Sequence, residues 1–124
     1  MQAEDLRQIL ALLADYSRLL DEAKLDALLE LWSKDCRLHV FGKDYVGREA
    51  IARFLAASPR GKHVTGVPNV QFDGTTARSR ADYLFFKDDL RLLSAGSYED
   101  EFVREPAGWR FVRRTVESQL SARS

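Results

Sequence analysis

The run Ala14 to Asp21, Ala-Asp-Tyr-Ser-Arg-Leu-Leu-Asp, brings a tyrosine and then a carboxylate to the end of an otherwise apolar helical face. The Tyr16 hydroxyl can donate a hydrogen bond that polarises a substrate carbonyl. The chain has two histidines, His39 and His63. Imidazole works as a general base when a carboxylate holds one ring nitrogen, so that the tautomer is set and the other nitrogen takes a proton; Asp21 is a candidate for that carboxylate. Asp82 shares a face with Leu84 and Phe86, and if that face is the concave one its carboxylate must be paired or protonated. Arg113 or Arg114 would be its partner, and could bind an anionic leaving group or an oxyanion. The chemistry indicated is acid–base work in a pocket where a histidine, Asp82 and an arginine face Tyr16 and Asp21. Each residue also has a plainer role. Tyr16 fits a packed core, Asp21 can cap the following helix, His63 can be an ordinary strand residue, and Asp82 can form an exposed ion pair. His39 alternates with Leu38 and Val40 and is assigned to the outer face.

The elements that must position these groups follow from periodicity. Leu6, Ile9, Leu10, Leu13, Tyr16 and Leu20 recur at helical spacing and predict a helix from about Ala3 to Leu20. Leu25, Leu28, Leu29 and Trp32 continue the pattern as a second helix. Cys36 to Phe41 alternates as a short strand, with Asp35 as a turn or cap residue before it and Tyr45-Val46 as a brief return strand after it. Gly47 opens a third helix with Ile51, Phe54 and Leu55 buried, and Ser58-Pro59-Arg60-Gly61 stops it. The rest reads as strands: Lys62 to Phe72 with Pro68 at an edge or bulge, Thr75 to Phe86 after the Asp73-Gly74 turn, Leu90 to Arg104 bent at Gly96, and Trp109 to Ser118, with a frayed tail after Gln119. Trp32, Trp109 and Cys36 are assigned to the core. Helices first and hairpin-linked strands after them define an α+β fold of three N-terminal helices on a strongly curved mixed, mostly antiparallel sheet, a cone-shaped α+β barrel whose mouth is a ligand pocket.

With 124 residues, 45% hydrophobic and 31% charged, the chain reads as one soluble domain over 1–124. Its 19 basic and 19 acidic residues cancel, which leaves no electrostatic footprint for nucleic acid. A single cysteine, Cys36, excludes an intramolecular disulfide. No basic-then-apolar leader and no run of roughly 18 apolar residues is present, so the expected compartment is the cytoplasm, without a membrane partner. Zinc-ligand spacing, a phosphate loop, a dinucleotide fingerprint and a nucleophile elbow are all missing. The chemistry expected is therefore free of cofactor and metal.

The run through Asp21, the segments Leu-Asp-Ala-Leu-Leu-Glu-Leu-Trp-Ser-Lys-Asp-Cys and Val-Gly-Arg-Glu-Ala-Ile-Ala-Arg-Phe-Leu, and the strands Lys-His-Val, Gly-Ser-Tyr-Glu-Asp-Glu-Phe-Val-Arg and Gly-Trp-Arg-Phe-Val-Arg-Arg together resemble the SnoaL-like branch of the nuclear transport factor 2-like superfamily. The resemblance runs from about Leu6 to Val116. It is greatest to the lyases of that superfamily: scytalone dehydratase, the bile-acid dehydratases and hexachlorocyclohexane dehydrochlorinase. It implies that Asp21 pairs with His63, that Tyr16 is the tyrosine before the aspartate, and that Asp82 matches a strand aspartate. The C-terminal arginine falls at Arg114, or at Arg113 if a bulge shifts the register. A second histidine, as in scytalone dehydratase, has no counterpart. The implied function is elimination, hydration, isomerisation or cyclisation of a small, mainly apolar molecule, in a homodimer formed through the convex sheet face. A second possibility is a non-catalytic ligand-binding or dimerisation module, whose mouth would be filled by Phe54, Phe86 or Phe111. A third is epoxide hydrolysis of the limonene type, which needs an Asp–Arg–Asp set that Asp82 and an arginine would have to supply.

Overall fold

Helix α1 spans Ala3–Asp21 and buries Ile9, Leu12, Leu13, Tyr16 and Leu19, one stripe at steps of three and four. The computed structural model describes residues 3–122. Glu4 and Asp5 occupy the first turn, where the helix dipole favours negative charge. The helix ends in a Schellman arrangement: the Lys24 N–H donates to the Leu19 carbonyl at 2.8 Å and the Ala23 N–H to the Leu20 carbonyl at 3.0 Å. Ala23 takes the left-handed conformation this requires, with φ of 58°. That stop makes Asp21 the last helical residue.

Helix α2 spans Leu25–Leu29, α3 Arg48–Ala56, and the strands are β1 Trp32–Val40, β2 Lys43–Val46, β3 Gly61–Thr65, β4 Asn69–Asp73, β5 Thr76–Lys87, β6 Leu92–Glu105 and β7 Gly108–Ser121. The strands form one seven-stranded sheet in the order β2-β1-β7-β6-β5-β3, with β4 also paired to β5. Only β1 and β7 run parallel; the other neighbours are antiparallel. This is the curved mixed sheet carrying three helices that the sequence predicts.

Four boundaries differ from the expectation. The second helix stops at Leu29, and Trp32 opens β1. The sheet claims this segment, because the Phe111 N–H donates to the Leu31 carbonyl at 2.8 Å. An irregularity between Trp32 and Arg37 hides the early half of β1 from any two-residue alternation, so Asp35 lies within the strand rather than before it. The expected strand from Lys62 to Phe72 is two strands. Pro68 lacks an N–H and interrupts the ladder, yet both pieces pair with β5, through His63 opposite Phe85 and Val70 opposite Ser79. Finally β7 runs on to Ser121 as a partner of β6, where a frayed tail was expected; the last two residues of that tail lie outside the described residues.

The core lies between helices and sheet. Trp32, Phe102, Phe111, Ile9, Leu28 and Ile51 are almost wholly buried there, and Trp109 and Cys36 join them. Register shifts at Ala95/Gly96 and Glu101/Phe102 bend the β6–β7 pair. The second shift also decides which arginine faces inward. It makes Phe111 and Arg114, three residues apart, both buried, and turns Arg113 out to solvent.

Candidate active site

Beside this core lies an open cavity of about 440 Å³. Its lining includes Tyr16 from α1, His63 from β3, Tyr83 and Phe85 from β5, Tyr98 from β6 and Arg114 from β7. This size falls in the range of small-molecule pockets.

On one wall the Asp21 carboxylate meets His63 twice. Its Oδ2 accepts the His63 backbone N–H at 2.9 Å, and its Oδ1 accepts Nδ1–H at 2.7 Å. The first bond has a topological origin. Strand β3 is an edge strand, and this N–H turns away from β5 toward the end of α1. The second bond sets the tautomer: the proton sits on Nδ1, and Nε2 keeps its lone pair. Ser17 and Thr65 hydroxyls meet at 3.2 Å and tie α1 to β3 alongside. The imidazole stacks on Phe85 with centroids 4.3 Å apart. Burial pushes the His63 pKa below the ordinary histidine value, against the pull of Asp21 in the other direction. The ring is therefore neutral at neutral pH, the state a base requires.

The floor is built around Arg114. Its side chain is 1% exposed and makes a two-pronged ion pair with Asp100, Nε to Oδ1 at 2.8 Å and Nη2 to Oδ2 at 3.0 Å. The guanidinium carbon lies 3.8 Å from the Tyr98 ring centroid and 4.3 Å from that of Tyr16. Burial raises the Asp100 pKa, with Arg114 pulling it back; the two charge-assisted bonds hold the pair ionic. Nη1 has no hydrogen-bond partner among the described residues. Burial pushes the Tyr16 phenol up to about 12, against the opposing pull of Arg114, so it stays protonated and able to donate. The Tyr98 phenol is raised by burial too.

Of the residues singled out from sequence, Tyr16, Asp21, His63 and Arg114 converge here. Asp82 does not. It is exposed on the outer face of β5, opposite Ser97, because the inner face carries Ala77, Ser79, Ala81, Tyr83 and Phe85. The partner of the arginine is Asp100. That residue sits in the acidic run Glu99-Asp100-Glu101, which reads as a solvated strand; the signal that finds it is its place two residues before Phe102 and two after Tyr98. Asp82 lies outside the cavity and cannot supply a carboxylate to an Asp–Arg–Asp set there. His39 lies outside the site and meets Asp44 at 2.8 Å. The cavity is not sealed by aromatics: Phe111 packs in the core against Trp32, while Phe54 stands in the lining. No cluster of three or more His, Cys, Asp or Glu able to hold a metal occurs among the described residues.

A curved mixed sheet covered on one face by three helices, with an open cavity between them, is the architecture of the nuclear transport factor 2-like class. Within it, this chain belongs to the SnoaL-like domain family, whose model matches residues 1–115. An uncharacterized protein of Mycobacterium tuberculosis is 31% identical, over 91% of this chain and 84% of its own. A crystal structure of an NTF2-like protein with a cystatin-like fold from Novosphingobium aromaticivorans superposes with a TM-score of 0.87 at 30% identity, covering 96% of this chain and 84% of that one. A candidate scytalone dehydratase from the same organism superposes with a TM-score of 0.78 at 26% identity, covering 94% and 85%.

Proposed function

We propose that this protein is a cofactor-free acid–base enzyme acting on a small, mainly apolar carbonyl compound, with His63 as base and Asp21 as the group that orients it. The observation that carries the reading is the 2.7 Å Asp21–His63 bond beside an open cavity, which leaves Nε2 without a proton. The structural similarity to a candidate scytalone dehydratase points the same way. In the step proposed, Nε2 takes a proton from the carbon next to a carbonyl. The C–H electrons form the enolate, and its oxygen accepts a hydrogen bond from the Tyr16 hydroxyl, beside the positive charge of Arg114. In a dehydration the enolate re-forms the carbonyl and expels a β-hydroxyl, which leaves as water with the proton from imidazolium. In an isomerisation that proton returns to a different carbon. The reading includes a cytoplasmic enzyme, dimeric through the outer sheet face. No helix among the described residues is long and apolar enough to cross a membrane.

The test needs no knowledge of the natural substrate. Deuterium wash-in next to the carbonyl of a fused-ring ketone is followed by NMR in heavy water. The native protein is expected to exceed the buffer rate by roughly a hundred-fold or more. His63→Ala should abolish that gain with an unchanged circular dichroism spectrum. Full exchange in His63→Ala would remove His63 from the base role.

A further inference from the structure

The reading above gives no task to a set of hydroxyls in the cavity. Tyr83, Ser94 and Ser118, from β5, β6 and β7, form a hydroxyl chain: Tyr83 Oη to Ser94 Oγ at 2.9 Å, and Ser94 Oγ to Ser118 Oγ at 3.2 Å. All three line the cavity. Two irregularities in the sheet create the chain. Strand β6 pairs Ala95 with Leu120 but Gly96 with Ser118, so Gln119 is an extra residue in β7. That bulge lets Ser118 and Ser121, three positions apart, both reach the cavity while Leu120 is 71% exposed. The second device is Gly96 itself. A Cβ there would lie 2.9 Å from the Tyr83 ring and 1.9 Å from the Glu117 carbonyl oxygen. Only glycine lets the Tyr83 ring lie across β6, stacked on Tyr98 at 4.6 Å, with its hydroxyl at Ser94.

The position of the chain relative to His63 follows from the register. His63 pairs with Phe85 and Phe85 with Ser94, so Ser94 stands two strands from His63. Two strand spacings are roughly 10 Å. Three hydroxyls joined by two hydrogen bonds keep one proton to donate and several lone pairs to accept. The group carries no charge, so it suits a neutral oxygen better than a carboxylate, which would have to be desolvated without a counter-ion.

We infer that Tyr83, Ser94 and Ser118 form a second polar subsite that reads a neutral hydroxyl or carbonyl at the end of the ligand remote from His63, so that the cavity takes a mainly apolar molecule oxygenated at both ends. The inference rests on the cavity being the ligand site of the proposed enzyme, and not on turnover.

Two matched pairs of neutral fused-ring ketones of different length test it. One is α-tetralone and its analogue with a hydroxyl on the far edge of the aromatic ring; the other is estrone and its analogue lacking the phenol. Affinities are measured by isothermal titration on the native protein, Ser118→Ala, Tyr83→Phe and His63→Ala. In the native protein the hydroxylated member of at least one pair should bind about 3- to 10-fold more tightly. That preference should fall below about 2-fold in Ser118→Ala and Tyr83→Phe. The affinity of the ketone lacking the hydroxyl should not change. The preference should persist in His63→Ala. No binding, no preference in either pair, or a preference unchanged in both hydroxyl variants would overturn the subsite. Exchange activity that survives in His63→Ala would instead overturn the base role and leave the subsite standing, so the two failures are distinguishable.

Discussion

His63 holds two opposed influences at one ring. Burial disfavours its charged form, and the Asp21 carboxylate favours it; burial is the larger. For a base that must be unprotonated, the rate is expected to rise with pH through a value below the ordinary histidine pKa of about 6.5 and to be flat at neutral pH. Asp21→Asn removes the influence that raises the pKa. The acid limb of the pH–rate profile should move to lower pH, while the plateau drops roughly a hundred-fold or more as the tautomer is released. An acid limb that stays in place would separate Asp21 from the titration. Stability should follow the same group. A histidine whose pKa is depressed in the fold contributes stability that is present above the unfolded value and is lost as pH falls through the folded one. Denaturation midpoints should therefore fall from pH 7 toward pH 5, and less steeply in His63→Gln.

At the scale of elements, the stop of α1 decides where Asp21 stands. The Schellman turn places a left-handed residue at Ala23, with φ of 58°. A side chain there costs about 1 kcal/mol relative to glycine. Ala23→Gly is expected to raise the melting temperature by roughly 3 °C or more, without moving Asp21. A lower melting temperature would mean that entropy lost from the unfolded chain outweighs the relieved strain. This turn was not legible in the sequence, since alanine carries no signal for a left-handed residue. The α1 stripe was legible, because Ile9, Leu13 and Tyr16 repeat at helical spacing. The break between β3 and β4 was half visible: Pro68 marked an interruption, but nothing local says that both pieces return to one partner strand.

Across the whole molecule, the Asp100–Arg114 pair lies where the packed core meets the open cavity. The guanidinium touches Phe111 of the core, which packs on Phe102, as well as Tyr16 and Tyr98 of the cavity lining. Arg114→Met leaves a buried, unpaired carboxylate and should cost about 3–5 kcal/mol, read from urea midpoints. The double variant Arg114→Met/Asp100→Leu should recover most of that loss while deuterium exchange stays low, because the enolate has lost the positive charge beside it. Recovery of exchange together with stability would assign Arg114 a purely structural role.

What the sequence by itself determined was the order and type of elements, with Tyr16, Asp21 and His63 singled out as candidates for chemistry. Periodicity and turn residues act over a few positions, so they can be read along the chain. Only the tertiary structure decided the carboxylate on Arg114. Asp82 and Asp100 each share a strand face with apolar residues, Leu84 and Phe86 for one and Tyr98 and Phe102 for the other, and which face looks inward depends on sheet curvature and on the helices that cover it. The choice of Arg114 over Arg113 rests on the bulge opposite Glu101 and Phe102. The hydroxyl chain rests on the bulge at Gln119. A bulge moves every later side chain to the other face, and pairing between strands, not local residue preference, determines where it falls.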